Sequence, residues 1–308
     1  MSHFTLLRTF ALLDDPSTVP PHVRIGFTDY TVTIKDAYPK SYFHRLVLPR
    51  IYLPIEPEQV RDLRSLLCLP REQARAILLA LKRDAEVAKR EMEQEMREQH
   101  GFVWPIQMGF HAVPSLDHVH VHVISTDFLG QYYKKKKHVN SFHPRMGFFV
   151  HLDEVIRWYD PDIEPTWFAM KTAIDKVEYN KILGRDPLCP HCDEQYRTIP
   201  KLKKHLKDVF KKAKAAAQER NAAAANAAGN ASSSEDTGTA AAGDPATNTT
   251  TESGATQLGE GSAGATTGQK RKHYETQLDP LDIIDVDALP DPTPAKRQQL
   301  AAPSTESA

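Results

Sequence analysis

Cysteine is scarce in this 308-residue chain, which holds only Cys68, Cys189 and Cys192. An odd and small number argues against a disulfide framework and suits a reducing compartment. Long apolar runs are missing too. None approaches the roughly 20 residues that a membrane-spanning helix needs, and the opening MSHFTLLRTFALLDD lacks the basic start of a secretory signal. The expectation is a soluble intracellular protein with no membrane partner. Net charge is small, −1, but unevenly spread: residues 216–308 hold 6 Lys and Arg against 13 Asp and Glu, so the preceding part carries +6 and the tail −7. A basic body beside an acidic tail suits the binding of a polyanion. From about Ala215 onward, aromatic and branched residues give way to Ala, Gly, Ser, Thr and Asn. Such a composition buries too little apolar surface to offset chain entropy, so the tail 215–308 is expected to be disordered.

Ahead of that tail the patterning is that of an ordered domain. Phe4, Leu7, Phe10 and Ala11 have helical spacing and end at Asp14-Asp15-Pro16, which predicts a short N-terminal helix. Thr31 to Lys35 and Phe43 to Leu48 are branched and aromatic runs around a turn at Pro39, an antiparallel hairpin. Ala74, Leu78, Leu81, Ala85, Ala88 and Met92 step by three and four between Pro70 and Gly101, one long helix whose charged outer face reads as solvated. Phe102 to Phe110 reads as a further strand, and a helix is expected near Leu152 to Trp158. Strands, a helix and more strands in that order predict an α+β domain, a mainly antiparallel sheet with a long helix on it.

The most informative stretch is Leu116 to Asp127, LDHVHVHVISTD, in which His118, His120 and His122 alternate with Val119, Val121 and Val123. Strict alternation predicts a half-buried strand with the valines in a core and three imidazoles on one open face. On an extended strand the Cα atoms of His118 and His122 are about 13 Å apart, too far for easy sharing of one ion, so no catalytic metal is expected. A row along a phosphate fits better: the middle imidazole attacks phosphorus and the outer two donate to its oxygens. Beyond it lies YYKKKKHVNSFHPR, whose lysines suit a phosphate backbone.

Leu188 to Phe210 contains Cys189-x2-Cys192 and, after twelve residues, His205 on a basic segment from Lys201 to about Lys214. Two thiolates on a tight turn and an imidazole on a following helix are three of the four ligands of a small, ββα-like zinc finger. The position four residues on is Val209, which has no donor atom. Asp208 is therefore expected as the fourth ligand, with Asp193 or an external water as rivals. So basic a helix is best explained by DNA or RNA, with Lys201 and Lys204 as candidate contacts.

At these residues the chain resembles the histidine triad family of nucleotide hydrolases and transferases, whose mark is the spacing found from His118 to Ile124. GFHAVPSLDHVHVHVIS, KKKKHVNSF, IKDAYPKSYFHRLVLP and the following finger narrow the resemblance, over about residues 4–212, to the aprataxin-like branch, which removes AMP from adenylated DNA 5′ ends left by failed ligation. That resemblance implies His120 as nucleophile, forming an adenylyl-histidine while the DNA 5′-phosphate departs, with His118 and His122 positioning the phosphate and His111 as a proton donor. It also implies Asp36 on the ribose hydroxyls, Lys40 and Ser115 at the phosphate, and Lys137, His138, Asn140 and Ser141 as the DNA-facing match. Two positions depart from the pattern: Lys40-Ser41-Tyr42 stands for Lys-Ala-Arg, and Val139 for tryptophan.

The division expected is a histidine triad (HIT) catalytic domain at 1–160, a DNA-binding finger with structural Zn2+ at 161–214, and the tail. A small-molecule nucleoside phosphoramidate hydrolase and a nucleic-acid-end binding module without turnover are the alternatives. Lys270-Arg271-Lys272 and Lys296-Arg297 are candidate nuclear-import runs, and Ile283-Ile284-Asp285-Val286 resembles a SUMO-interacting motif, a route to SUMO or a repair protein. A nuclear monomer is expected.

Overall fold

The structure is a computed structural model that describes residues 5–51 and 55–232. Six strands form one antiparallel sheet in the order β1-β2-β3-β5-β4-β6, with β1 Arg24–Phe27, β2 Thr31–Lys35, β3 His44–Pro49, β4 Ile106–His111, β5 Val121–Ser125 and β6 Phe149–His151. The β2–β3 pair is the expected hairpin, in register from Thr31↔Pro49 to Lys35↔Arg45. Before β1, α1 (Leu6–Ala11) buries Leu7 and Ala11, and Leu7 packs with Val32, Ile34, Leu46 and Leu48.

Between β3 and β4 run α2 (Leu63–Leu67) and α3 (Arg71–His100). The apolar stripe read from the sequence is the face that α3 buries, and Gly101 ends the helix at φ 73°, in the left-handed region that glycine tolerates. Leu78, Leu81, Ala85 and Met92 share a core with Val47, Val121 and Val123. The charged flank is not only solvated surface. Glu91 and Glu95 both reach the buried guanidinium of Arg45 on β3, at 2.5 Å each, joining helix to sheet.

After β5 come α4 (Lys136–Phe142), then β6, α5 (Leu152–Arg157), α6 (Pro165–Thr172), α7 (Lys176–Leu183) and α8 (Ile199–Ser232). Leu202 and Leu206 of α8 pack with Ile124, Phe128, Tyr133, Val139 and Phe142, so the finger helix shares a core with the back of β5 and α4. Val139, smaller than the tryptophan of the family pattern, is fully buried there, in the same core as the buried Tyr133, which stacks on Phe128. Of the expected ββα unit only one antiparallel bridge, Leu188↔Gln195, precedes the helix.

The boundary at 215 needs correction, because α8 is helical through Ser232. Low burial capacity argues against a packed core, but a run of alanines has the highest intrinsic helix preference and needs no core to be locally helical. The stretch through Asn221 belongs to one compact unit; of the second unit, which begins at Ala222, only the last turns of this helix are described. The candidate import runs and Ile283–Val286 lie outside the described residues.

Candidate active site and metal centre

The valine–histidine alternation holds, but neither the strand nor the open face extends over the whole row. Val121 and Val123 join the core under α3, and β5 begins only at Val121, so His118 and His120 precede the strand. All three imidazoles are buried, at 0%, 6% and 4% exposure for His118, His120 and His122. His118 sits at φ 95°, a strained conformation for a residue with a Cβ.

Three bonds hold His118 there. Its N–H donates to Arg61 O at 2.7 Å, its Nε2 to Pro49 O at 2.7 Å, and its own carbonyl accepts from His120 Nδ1 at 2.8 Å. The expectation that His118 lines the phosphate is thereby corrected: both its imidazole and its backbone are used inside the fold, as a post for His120. A carbonyl can only accept, so His120 carries its proton on Nδ1 and presents a bare Nε2. Burial lowers the pKa of His120, opposed by the His118 carbonyl and Asp36, so the ring is neutral near pH 7.

His122 is oriented by a residue that the sequence reading passed over. His44, at the start of β3, places Nε2 3.0 Å from His122 Nδ1. The Lys40 N–H donates to His44 Nδ1 at 3.3 Å, so in the neutral ring Nε2 bears the proton and donates to His122. His122 is then left with an Nε2–H, a buried atom without a partner among the described residues. Burial pushes His44 down to about 4 and His122 well below its ordinary value, which keeps both neutral. Asp36 Oδ2 lies 3.4 Å from His44 Nδ1, and Asp36 accepts from Tyr38 N at 2.6 Å. Burial works to raise Asp36, but His44, Lys40 and the Tyr38 N–H outweigh it and keep the carboxylate charged. The ligand atoms of Asp36, His44 and His122 lie within 4.8 Å of one another, a spacing that a cation could also use.

His111, on β4, has its ring centroid 4.4 Å from that of His122 and is held well below its ordinary pKa by burial first and by its histidine neighbours next. Lys40 stands on the loop after Asp36, its Nζ on the Tyr38 carbonyl, and burial lowers its pKa against the pull of Asp36. Ser115 is exposed in the bend that leads to His118. The tertiary fold thus brings His44, His111, His120, His122, Asp36 and Lys40 together around one point.

The DNA-facing set divides. Lys137, Lys201 and Lys204 are exposed, and His138 is half-buried beside Lys40. Asn140 is corrected: it is buried, and its amide donates to the carbonyls of Ile182, Leu183 and Arg185, capping α7, while Ser141 is buried with its backbone against His111. The Asn140 side chain, so used, cannot also reach a phosphate. Tyr42, in the place of the family's arginine, instead packs edge-on against Phe210 of α8 at 5.5 Å.

Cys189, Cys192 and His205 offer ligand atoms within 4.8 Å of one another, and Cys192 Sγ is 3.4 Å from His205 Nε2. Two donors on one tetrahedral zinc would stand about 3.5 Å apart, so this donor set fits zinc. Asp208 does not join them and is exposed. On a helix the fourth residue on, not the third, returns most nearly to the starting face, and that residue is Val209, packed against the core. Asp193 pairs with Arg145 at 2.6 Å. Asp208→Ala is accordingly expected to keep full zinc stoichiometry and affinity in a chelator competition, and Cys189→Ser to lose the metal. A parallel loss in Asp208→Ala would restore the carboxylate as ligand.

Residues 14–138 match the family described as "Scavenger mRNA decapping enzyme C-term binding", and residues 145–212 the "C2HE / C2H2 / C2HC zinc-binding finger". Aprataxin of Danio rerio is 34% identical over 61% of this chain and 49% of its own length, and aprataxin of Gallus gallus 32% identical over 62% and 52%. The chain is similar to aprataxins and aprataxin-like proteins over about three fifths of its length. It spans about half the length of those two aprataxins, while the aprataxin-like protein of Saccharomyces cerevisiae, 29% identical, is covered over 91% of its length. The crystal structure of the aprataxin ortholog Hnt3 in complex with DNA matches with a TM-score of 0.49 at 21% identity, over 68% of this chain and 94% of that one.

Proposed function

We propose that the chain hydrolyses AMP from 5′-adenylated DNA ends through an adenylyl-histidine intermediate. The observation that carries this reading is the bare Nε2 of His120, fixed by the His118 carbonyl on Nδ1 and set beside the Nε2–H of His122. In the first step His120 Nε2 forms a bond to the AMP phosphorus while the bridging P–O bond breaks, and the DNA 5′-phosphate leaves with the electron pair. His122 Nε2–H and the Lys40 ammonium donate to the phosphorus oxygens, where charge accumulates. Asp36, held as carboxylate, accepts from the ribose hydroxyls. In the second step water attacks the same phosphorus, the N–P bond breaks, and AMP leaves with neutral His120 regenerated and a proton released.

Burial bears on His111 in this scheme. An imidazole with so depressed a pKa is not charged in the free protein, so it serves the departing phosphate as a neutral N–H donor unless the bound phosphate's charge raises it. Zinc at Cys189, Cys192 and His205 supplies structure to the finger, which presents Lys201 and Lys204 to DNA. A nuclear site of action is part of the same proposal and rests on the sequence of the tail.

Comparing AMP release from adenylated nicked DNA with that from a small adenosine phosphoramidate tests the reading. The DNA substrate is expected to be strongly preferred. Equal or reversed preference would indicate a general phosphoramidate hydrolase, and binding of DNA ends without release of AMP from either would indicate a binding module.

A further inference from the structure

Outside the histidine cluster, an aromatic corner beside Lys40 has no part in the chemistry above. Tyr38, 45% exposed, meets the half-buried Tyr132 edge to face, with ring centroids 5.1 Å apart and planes at 85°. The two loops that carry these rings are fastened to each other. Gly130 N donates to Lys40 O at 3.0 Å, Tyr132 N to Pro39 O at 3.4 Å, and Lys203 Nζ of α8 to Gly130 O at 2.9 Å. A Cβ at Gly130 would run into the backbone of residues 39–41, so glycine is what allows the approach. Asp36 and Lys40 lie on the same loop as Tyr38, and in the reading above Asp36 meets the ribose and Lys40 the reacting phosphate. The rings are therefore held at a fixed distance from the site.

The surroundings of the corner are cationic. Lys134 Nζ stands 5.7 Å from the Tyr132 centroid. Burial first disfavours the charged forms of Lys40 and Lys203, and neighbouring lysines add to it, Lys137 at Lys40 and Lys207 and Lys134 at Lys203. None of Lys134, Lys137, Lys203 and Lys207 has an ion pair among the described residues. Exposed tyrosines are common on protein surfaces, and unpaired lysines more so. A rigid pair of aromatic faces surrounded by unneutralised lysines, next to a phosphate site, has the composition that polynucleotide strands select: π-faces for bases and cations for the backbone.

We propose that Tyr38 and Tyr132 form a stacking seat for one nucleobase of a polynucleotide whose phosphates run along Lys134, Lys137 and Lys203, so that this corner selects nucleic-acid adenylates over small adenosine derivatives. The proposal rests on the hydrolase reading and adds to it which residues choose the substrate.

The test uses full-length protein, wild type, Tyr132→Ala and Tyr132→Phe. It compares kinetics on adenylated nicked DNA and on adenosine phosphoramidate with the fluorescence of 2-aminopurine placed at the first nucleotides of the 5′ end. Tyr132→Ala is expected to raise KM for the DNA substrate about tenfold, in line with the loss of one stacked base, with kcat little changed, and to relieve the 2-aminopurine quenching. The loss should be confined to DNA, and Tyr132→Phe should restore both readouts. An unchanged KM for DNA, an equal loss on both substrates, or failure of phenylalanine to restore in a normally folded protein would overturn the seat. The hydrolase reading fails separately, if wild type releases no AMP; quenching on a plain 5′-phosphorylated oligonucleotide then still decides the seat, since its persistence in Tyr132→Ala would overturn it.

Discussion

His120→Ala is expected to lower AMP release from adenylated DNA by at least about 10,000-fold, because it removes the covalent route rather than weakening it. DNA binding should stay close to wild type, since the exposed lysines and the finger carry it. The other two members of the row should separate from His120 in different ways. His122→Ala removes an N–H aimed at the phosphorus oxygens, which slows both steps and leaves the fold intact. His118→Ala removes the Pro49 bond that holds a strained backbone and the His120 ring, so thermal stability should fall together with turnover. Acid quench during turnover by a variant slow in the second step should trap labelled AMP on His120. Substantial activity in His120→Ala, or label on another residue, would end the nucleophile assignment and favour direct attack by water.

Acid sensitivity is the second large effect. Burial holds His44 at about 4 and His118 at about 3, against an ordinary value of 6.5, and holds His111 and His122 well below theirs. Each group binds a proton more readily in the unfolded chain, so its contribution is complete above pH 6.5 and is lost as pH falls toward the folded values. By pH 4 the loss is about 3 kcal/mol each for His44 and His118, as an upper bound. A domain of this kind has only about 5–15 kcal/mol in total. The urea midpoint, followed by circular dichroism at fixed ionic strength, is therefore expected to drop steeply between pH 6.5 and 4.5. A flat midpoint across that window would mean that these imidazoles take up protons without unfolding, and the neutral tautomers argued for His44 and His122 would have to be abandoned.

Much of the architecture was legible because it repeats locally. The stripe from Ala74 to Met92 could only be one helix face, and the Val–His alternation could only divide the side chains of β5 between two faces of a sheet. The Cys189-x2-Cys192 turn and His205 were legible for a similar reason, since a thiolate pair needs a tight turn. His44 was not, although it stands in a segment whose resemblance had been noticed. It is 78 residues from His122, and nothing local marks it; the two meet because β3 pairs with β5, so that Leu46 stands opposite His122 and His44 opposite Ile124.

What the sequence by itself determined is therefore which residue types are present and, within each regular segment, which side they take. The tertiary structure decided their protonation and their partners. His118 carries the same side chain as His120 and belongs to the same motif, yet a positive φ and a bond to Pro49 make it a support, while His120 keeps a free nitrogen. Asn140 reads as a polar surface residue until α7 arrives to take its amide, and Asp208 reads as a ligand until the helix phase turns Val209 to the inside. Periodicity depends on bonds between near neighbours, which the order of residues fixes directly. Burial, tautomer and ligand geometry depend on which distant segments pack together, and that emerges only when the whole chain has folded.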